Sequence, residues 1–281
     1  MNFKFYNDVS FKVSDLIARS YSTSFSMAIN VFDKELRESI SSIYGYVRLA
    51  DEIVDSFHEF DKLNLLNELR EETYDAIRNK ISLNPVIQSF QSTVNKYDIS
   101  IDYINNFIDS MEMDLSNTYY ERKDYDKYIY GSAEVVGLMC LKVFCYKDIE
   151  LFYSLIPSAK ALGSAFQKVN FLRDIKSDLD ERGRIYLPDA GTSAEINNAN
   201  KLLLEEEIEK EFTEALIGIK RLPASSRLGV YSAYLYYYML FKKIRSLKIN
   251  DLFKKRVRIS NVTKISLLIK SMIEIKIIKA I

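Results

Sequence analysis

The chain has 281 residues, 48% hydrophobic and 28% charged, with 39 basic and 39 acidic side chains that cancel to zero net charge. Such a balance gives no general attraction to nucleic acid, so any anion must be held by a local cluster. A lone histidine, His58, excludes histidine-rich metal sites and argues against a Ser-His-Asp machine, and Cys140 and Cys145, in an apolar stretch, read as buried thiols.

In chain order, Met1 to Val9 mixes Lys4 and Asp8 with aromatics and has no apolar signal core, which points to a cytoplasmic setting. Only four prolines and eight glycines interrupt the chain, and helical periodicity dominates. Asp33 is a plausible N-cap for a helix running through Tyr44 to Asp55, with Ile40, Ile43, Val47 and Val54 on its apolar side. Further helices are predicted at Asp61–Lys80, Pro85–Lys96, Ile101–Ser116, Tyr125–Phe144 and Lys147–Asp178, with a break or kink at Pro157. Arg182-Gly183-Arg184 ends the last of these, and Pro188 with Gly191 marks a surface loop. Two long helices follow, Lys201–Arg221 and Ala224–Lys248, divided by Pro223. No linker or repeat intervenes, so residues 1–281 read as one all-α domain. No apolar run reaches the roughly 20 residues a bilayer span needs. The segment 265–281 interleaves Ile and Leu with Lys270, Glu274, Lys276 and Lys279, as a docking helix or a membrane-surface contact would. Lys254-Lys255-Arg256-Val257-Arg258 reads first as a solvated charge run, with membrane contact as the alternative.

Chemistry concentrates in two places. Gln167, Asn170, Asp174 and Asp178 recur at steps of three and four, which puts them on one helix face. Tyr44, Arg48, Asp51 and Asp55 repeat the pattern on a distant helix. Each aspartate pair is about 6 Å apart at Cβ. Two unscreened carboxylates about 4 Å apart repel by roughly 4 kcal/mol at an effective dielectric of 20. Four converging carboxylates therefore need a cation, and Mg²⁺, with Mn²⁺ as the alternative ion, suits carboxylate and phosphate oxygens better than zinc. Arg48 and Arg173, beside the acidic residues, are what a phosphate-bearing substrate requires. An Asp pair at this spacing is often only a solvated helix face; the two motifs together, with their arginines, favour function. The 20 tyrosines and 16 phenylalanines supply the other half. Tyr21, Phe25, Tyr44, Tyr130, Tyr186 and Tyr237 fall in or near the motifs, and aromatic faces stabilise a carbocation by about 2 kcal/mol or more when desolvated. Metal to pull off diphosphate, with aromatics to host a cation, describes an isoprenoid synthase.

Four segments then resemble the squalene and phytoene synthase family: Tyr21-Ser22-Thr23-Ser24-Phe25-Ser26, Arg48-Leu49-Ala50-Asp51-Glu52-Ile53-Val54-Asp55, Asn170-Phe171-Leu172-Arg173-Asp174-Ile175 and Glu181-Arg182-Gly183-Arg184-Ile185-Tyr186-Leu187-Pro188. The likeness runs from about Ser20 to Lys264 and is nearest to phytoene synthases. It implies a single all-α isoprenoid synthase domain, with helices around a deep central cavity. It further implies Mg²⁺-dependent head-to-head condensation of two prenyl diphosphates. Carried over, Asp51, Asp55, Asn170, Asp174 and Asp178 hold or orient the metal–diphosphate cluster. Arg48, Gln167, Arg173, Arg184 and Tyr237 contact diphosphate. Tyr21, Ser22, Thr23, Ser24 and Phe25 form a flap beside the substrates. Tyr44 and Tyr130 flank the cation, with Tyr186 in the substrate site. Glu134, where the family commonly has a small residue, is expected to alter cavity shape or polarity, and Ser177 replaces an often acidic residue.

The leading expectation is phytoene from two geranylgeranyl diphosphates, without NADPH. The alternatives are squalene or dehydrosqualene from farnesyl diphosphate, the former requiring NADPH, a terpene cyclase or chain-elongating transferase, and a silent lipid-binding or assembly factor. Intact acidic pairs argue against silence. Prenyl diphosphates are the expected partners, and an insoluble product makes peripheral membrane contact chemically sensible.

Overall fold

A computed structural model describes residues 2–188 and 196–278. Among these residues the regular structure is helical, apart from an isolated bridge between Tyr119 and Ile185. The helices are α1 (Phe3–Tyr21), α2 (Thr23–Ile29), α3 (Lys34–Ser56), α4 (Lys62–Asn79), α5 (Pro85–Tyr97), α6 (Ile101–Ser116) and α7 (Arg122–Ile129). A π-helical turn over Tyr130–Glu134 leads into α8 (Val135–Phe144), followed by α9 (Ile149–Arg182), α10 (Asn198–Arg221), α11 (Ala224–Arg245), α12 (Ile249–Leu252) and α13 (Asn261–Ile278).

The helix starts follow cap chemistry. Asp33 accepts the Leu36 amide at 2.9 Å, Asp61 the Asn64 amide at 3.0 Å, and Asp148 the Leu151 amide at 2.9 Å, each satisfying a first-turn donor that has no helical partner. Gly183, at φ 65°, ends α9 in the left-handed region that glycine adopts without strain. The predicted break at Pro157 is absent, since α9 runs unbroken from Ile149 to Arg182. The carbonyl deprived of its donor belongs to Tyr153, which is exposed to water. The predicted helix 125–144 is instead split by the π turn, whose extra residue per turn rotates α8 relative to α7.

Helices α1 and α2 were not expected. Helix α1 buries Ser10, Ser14 and Ala18, small side chains at steps of four rather than large apolar ones. Ser14 meets Ser89 of α5 at 2.7 Å, and α1 thereby lies close on α3 and α5. At the other end α13 packs on α11 through buried Leu267, a Ser232–Ser271 hydroxyl contact of 2.7 Å and a Tyr231–Glu274 hydrogen bond of 2.8 Å. Its outward side chains include Val262, Ile265, Ile269 and Ile273, all exposed. Gly191 and Lys279 lie outside the described residues, as does the end of the predicted segment 265–281.

Two apolar clusters form the interior. One gathers α3 with α4, α5, α6 and α8; the other gathers α9, α10 and α11 with the tyrosines of α7. Between them lies a cavity of about 690 Å³, walled from both sides, with Ile40 and Ile43 of the first cluster facing it opposite Leu155 and Ile219 of the second. No helix among the described residues is long and apolar enough to cross a membrane.

Candidate active site

Helices α3 and α9 carry the two acidic motifs to one end of this cavity. Along α3, Tyr44, Arg48, Asp51 and Asp55 line the wall at helical spacing; along α9, Gln167, Asn170, Arg173, Asp174 and Asp178 do the same. Residues more than a hundred positions apart thus share one hollow. Their charges interlock through arginines. Arg182 Nε is 3.2 Å from Asp55 and its Nη1 donates to Asp178 at 2.7 Å, clamping α3 to α9. Arg184 donates to Asp55 at 2.9 Å, and Arg173 Nε donates to Asp174 at 3.0 Å. Arg256 also reaches Asp174, at 2.7 Å. Arg48 lies 3.8 Å from Asp51, pairs with Glu52, and stacks its guanidinium 4.3 Å from the Tyr21 ring centroid.

Beneath this layer sits Asp114 of α6, on the cavity wall yet buried. It accepts hydroxyl hydrogen bonds from Tyr120 (2.7 Å), Tyr128 (2.8 Å) and Tyr186 (2.8 Å), and Arg184 approaches to 3.7 Å. Arg184 therefore stands behind the aspartates as a strut; it does not line the cavity. Aromatic pairs continue inward: Phe25 stacks on Tyr44 at 4.6 Å, Phe166 on Tyr237 at 3.9 Å and Phe171 on Tyr186 at 4.3 Å. All six line the cavity.

Tyr21 and Ser22 also reach the wall, but Thr23 and Ser24 do not. Ser22 caps α2 through the Phe25 amide (3.1 Å), and Thr23 accepts a hydrogen bond from Lys264 at 2.8 Å. Tyr130, expected beside the cation, is not on the cavity wall; the Lys160 ammonium lies 5.0 Å from its ring centroid. The π turn explains the displacement, because it brings Ser132, Ala133, Val136 and Gly137 to the wall in its place. Glu134 likewise stays off the wall, paired with Lys160 at 2.9 Å, so its effect on the cavity is not the direct one expected. Ser177 bonds the Asp174 carbonyl at 3.0 Å.

Three charged wall residues were missed in the sequence. Arg182 continues the α9 stripe four residues beyond Asp178, and that spacing was the available signal. Asp114 occupies a core register of α6, in step with buried Phe107 and Met111, so an acid on an apolar stripe marked it. Arg256 had no local signal: the run read as solvated sends Arg256 to Asp174 and buries Val257.

Burial raises the carboxyls of Asp51 and Asp178 to about 7. Arg48 and Arg182 respectively oppose the shift, while Asp55 adds to both, with Asp114 acting on Asp51 and Asp174 on Asp178. Asp51 keeps 35% of its side-chain surface accessible, which tempers its desolvation. Burial also pushes the Tyr44 phenol up to about 12. Among the described residues, no three acidic, histidine or cysteine side chains are already drawn together tightly enough to enclose an ion, because arginines separate the aspartates. The donors nonetheless fit a hard divalent cation. They are carboxylates at mutually repelling positions plus the buried Asn170 Oδ1, which lacks any hydrogen-bond partner. Asp51, Asp55, Asn170, Asp174 and Asp178 would hold it.

This fold and this wall of acids, arginines and stacked rings define an isoprenoid-synthase scaffold. The family model for squalene/phytoene synthase matches residues 18–263, and the chain belongs to that family. It is similar to chloroplastic phytoene synthase 1 of Arabidopsis thaliana, 29% identical over 269 residues that cover 90% of this chain and 63% of that one. The chain thus spans less than two thirds of the plant enzyme's length. It is also 26% identical over 200 residues to 4,4'-diapophytoene synthase of Staphylococcus haemolyticus, covering 69% of this chain and 66% of that one. Among solved structures, a ligand-bound dehydrosqualene synthase superposes with a TM-score of 0.83 at 22% identity, covering 98% of this chain and 99% of that one. The squalene synthase HpnC of Alicyclobacillus acidocaldarius superposes with a TM-score of 0.74 at 22% identity, covering 85% and 94%.

Proposed function

We propose that the protein joins two prenyl diphosphates head to head, with geranylgeranyl diphosphate as substrate and phytoene as product. The observation that carries this reading is the shared cavity mouth, where Asp51 and Asp55 of α3 meet Asp174 and Asp178 of α9 in front of three stacked aromatic pairs. Arg48, Arg173 and Arg256 bind the diphosphate and neutralise charge as it leaves. Magnesium, when bound by the aspartates and Asn170, supplies further charge neutralisation of the leaving group.

The allylic cation left in the cavity faces the rings of Tyr44, Phe25, Phe166 and Tyr237, which stabilise it and keep water away. The double bond of the second substrate attacks it, and loss of a proton closes a cyclopropyl diphosphate. A second ionisation, rearrangement and proton loss complete the hydrocarbon. Tyr44 stays protonated at neutral pH, so it donates hydrogen bonds rather than removing a proton, and the released diphosphate serves as base.

A second reading is dehydrosqualene formation from farnesyl diphosphate. It is favoured by the likeness to a dehydrosqualene synthase along nearly the whole chain, and by the aromatic residues Phe32 and Phe144 at the cavity's inner end. Incubation of the purified protein with labelled C15 and C20 diphosphates, with and without Mg²⁺ and NADPH, tests both. A C40 hydrocarbon formed without NADPH supports the first reading and a C30 product the second. No hydrocarbon from either diphosphate refutes both.

A further inference from the structure

Two elements approach each other closely at the cavity. Phe32, in the turn between α2 and α3, and Gly229, near the start of α11, both line it. A β-carbon added to Gly229 would lie 2.1 Å from Phe32 Cε1 and 2.4 Å from its Cζ, where ordinary contact begins at 3.4 Å. The ring therefore rests directly on the α11 backbone, in space that any side chain at 229 would take. Phe144 of α8 braces it from another direction, with ring centroids 5.6 Å apart at 52°. Gly229 precedes Tyr237 by two helical turns, which places this contact about 12 Å inward from the aromatic layer along α11.

Resting on the prenyl-diphosphate reading above, we propose that Phe32 is the stop against which the hydrocarbon tail of the substrate ends. Glycine at 229 fixes how deep that stop lies. Phe32 is buried at 7% exposure, and the cavity is the void beside it. A side chain at 229 drives the ring off α11 into that void and shortens the cavity. Removal of the ring deepens it. Packed interiors resist other ways of absorbing the change. One methylene more or less in an apolar pocket is worth about 10- to 200-fold in discrimination.

The experiment compares kcat/KM for C20 and C15 diphosphates in the wild type, Gly229→Ala, Phe32→Leu, Phe32→Ala and the double variant Gly229→Ala/Phe32→Leu. Binding of unreactive thiolo analogues of both lengths is measured in parallel. Gly229→Ala should lower the C20-to-C15 ratio by about ten-fold or more, and Phe32→Ala should raise it by a similar factor. The double variant should return toward the wild-type ratio, which also covers the case where Gly229→Ala alone fails to fold. Ratios that stay within about two-fold across the folded variants, set against that ten-fold expectation, overturn the proposal. An active wild type with invariant ratios sinks this inference alone, whereas a wild type that neither turns over nor binds either length sinks the functional reading with it.

Discussion

Asp55 on α3 and Asp178 on α9, 123 positions apart in the chain, are joined through one guanidinium, that of Arg182, at 3.2 and 2.7 Å. The link holds the two acidic motifs in register and separates their charges. Replacing Arg182 with Gln leaves both carboxylates in a confined space without their shared cation. The metal-free protein should lose roughly 3 kcal/mol, as when one partner of a buried ion pair is removed. Addition of MgCl2 should then raise Tm more in Arg182→Gln than in the wild type; thermal denaturation over a magnesium series checks this.

A pH dependence follows from Asp51 and Asp178. Their folded-state carboxyls are raised to about 7, against an ordinary unfolded value of about 4. The folded protein therefore holds protons that the unfolded chain has released, so stability is greatest at the acid side of this window and falls as pH rises through 7. Without metal, the urea midpoint should be higher at pH 6 than at pH 8. The difference should shrink in Asp51→Asn/Asp178→Asn, and magnesium should restore the midpoint at pH 8.

Asp114 carries three tyrosine hydroxyls and faces Arg184. Its replacement by Ala orphans several buried donors at once, and each costs about 1–3 kcal/mol. We expect a loss of at least about 3 kcal/mol in chemical denaturation, with Asp114→Asn losing less because the amide oxygen still accepts hydrogen bonds.

Arg256 differs from these in being half exposed, so its removal should scarcely change Tm. Arg256→Ala should weaken the diphosphate substrate's KM by about ten-fold if the guanidinium helps hold the leaving group. Steady-state kinetics alongside a melting curve separates the two effects.

Much of this was legible beforehand, for identifiable reasons. Helices α3 to α6, α10 and α11 declare themselves through caps and apolar spacing, and Ile101–Ser116 agrees to the residue. The α9 stripe from Gln167 to Asp178 reads directly off the helical repeat. Helix α1 was invisible because its buried face is serine and alanine, which carry no hydrophobic signal. The π turn at Tyr130–Glu134 was invisible because a single inserted residue leaves composition unchanged, yet it takes Tyr130 off the wall. Arg256 reaches Asp174 across 82 residues, and only the folded chain brings them together.

Turnover of labelled prenyl diphosphate by Asp51→Asn and Asp174→Asn, each verified as folded by circular dichroism, bears most directly on the shared acidic mouth. Each should lose at least about 10²- to 10³-fold in kcat, the scale of removing one preorganised electrostatic contact. Near-wild-type rates in either variant would contradict a catalytic role for that carboxylate and, with it, the two-helix metal–diphosphate site.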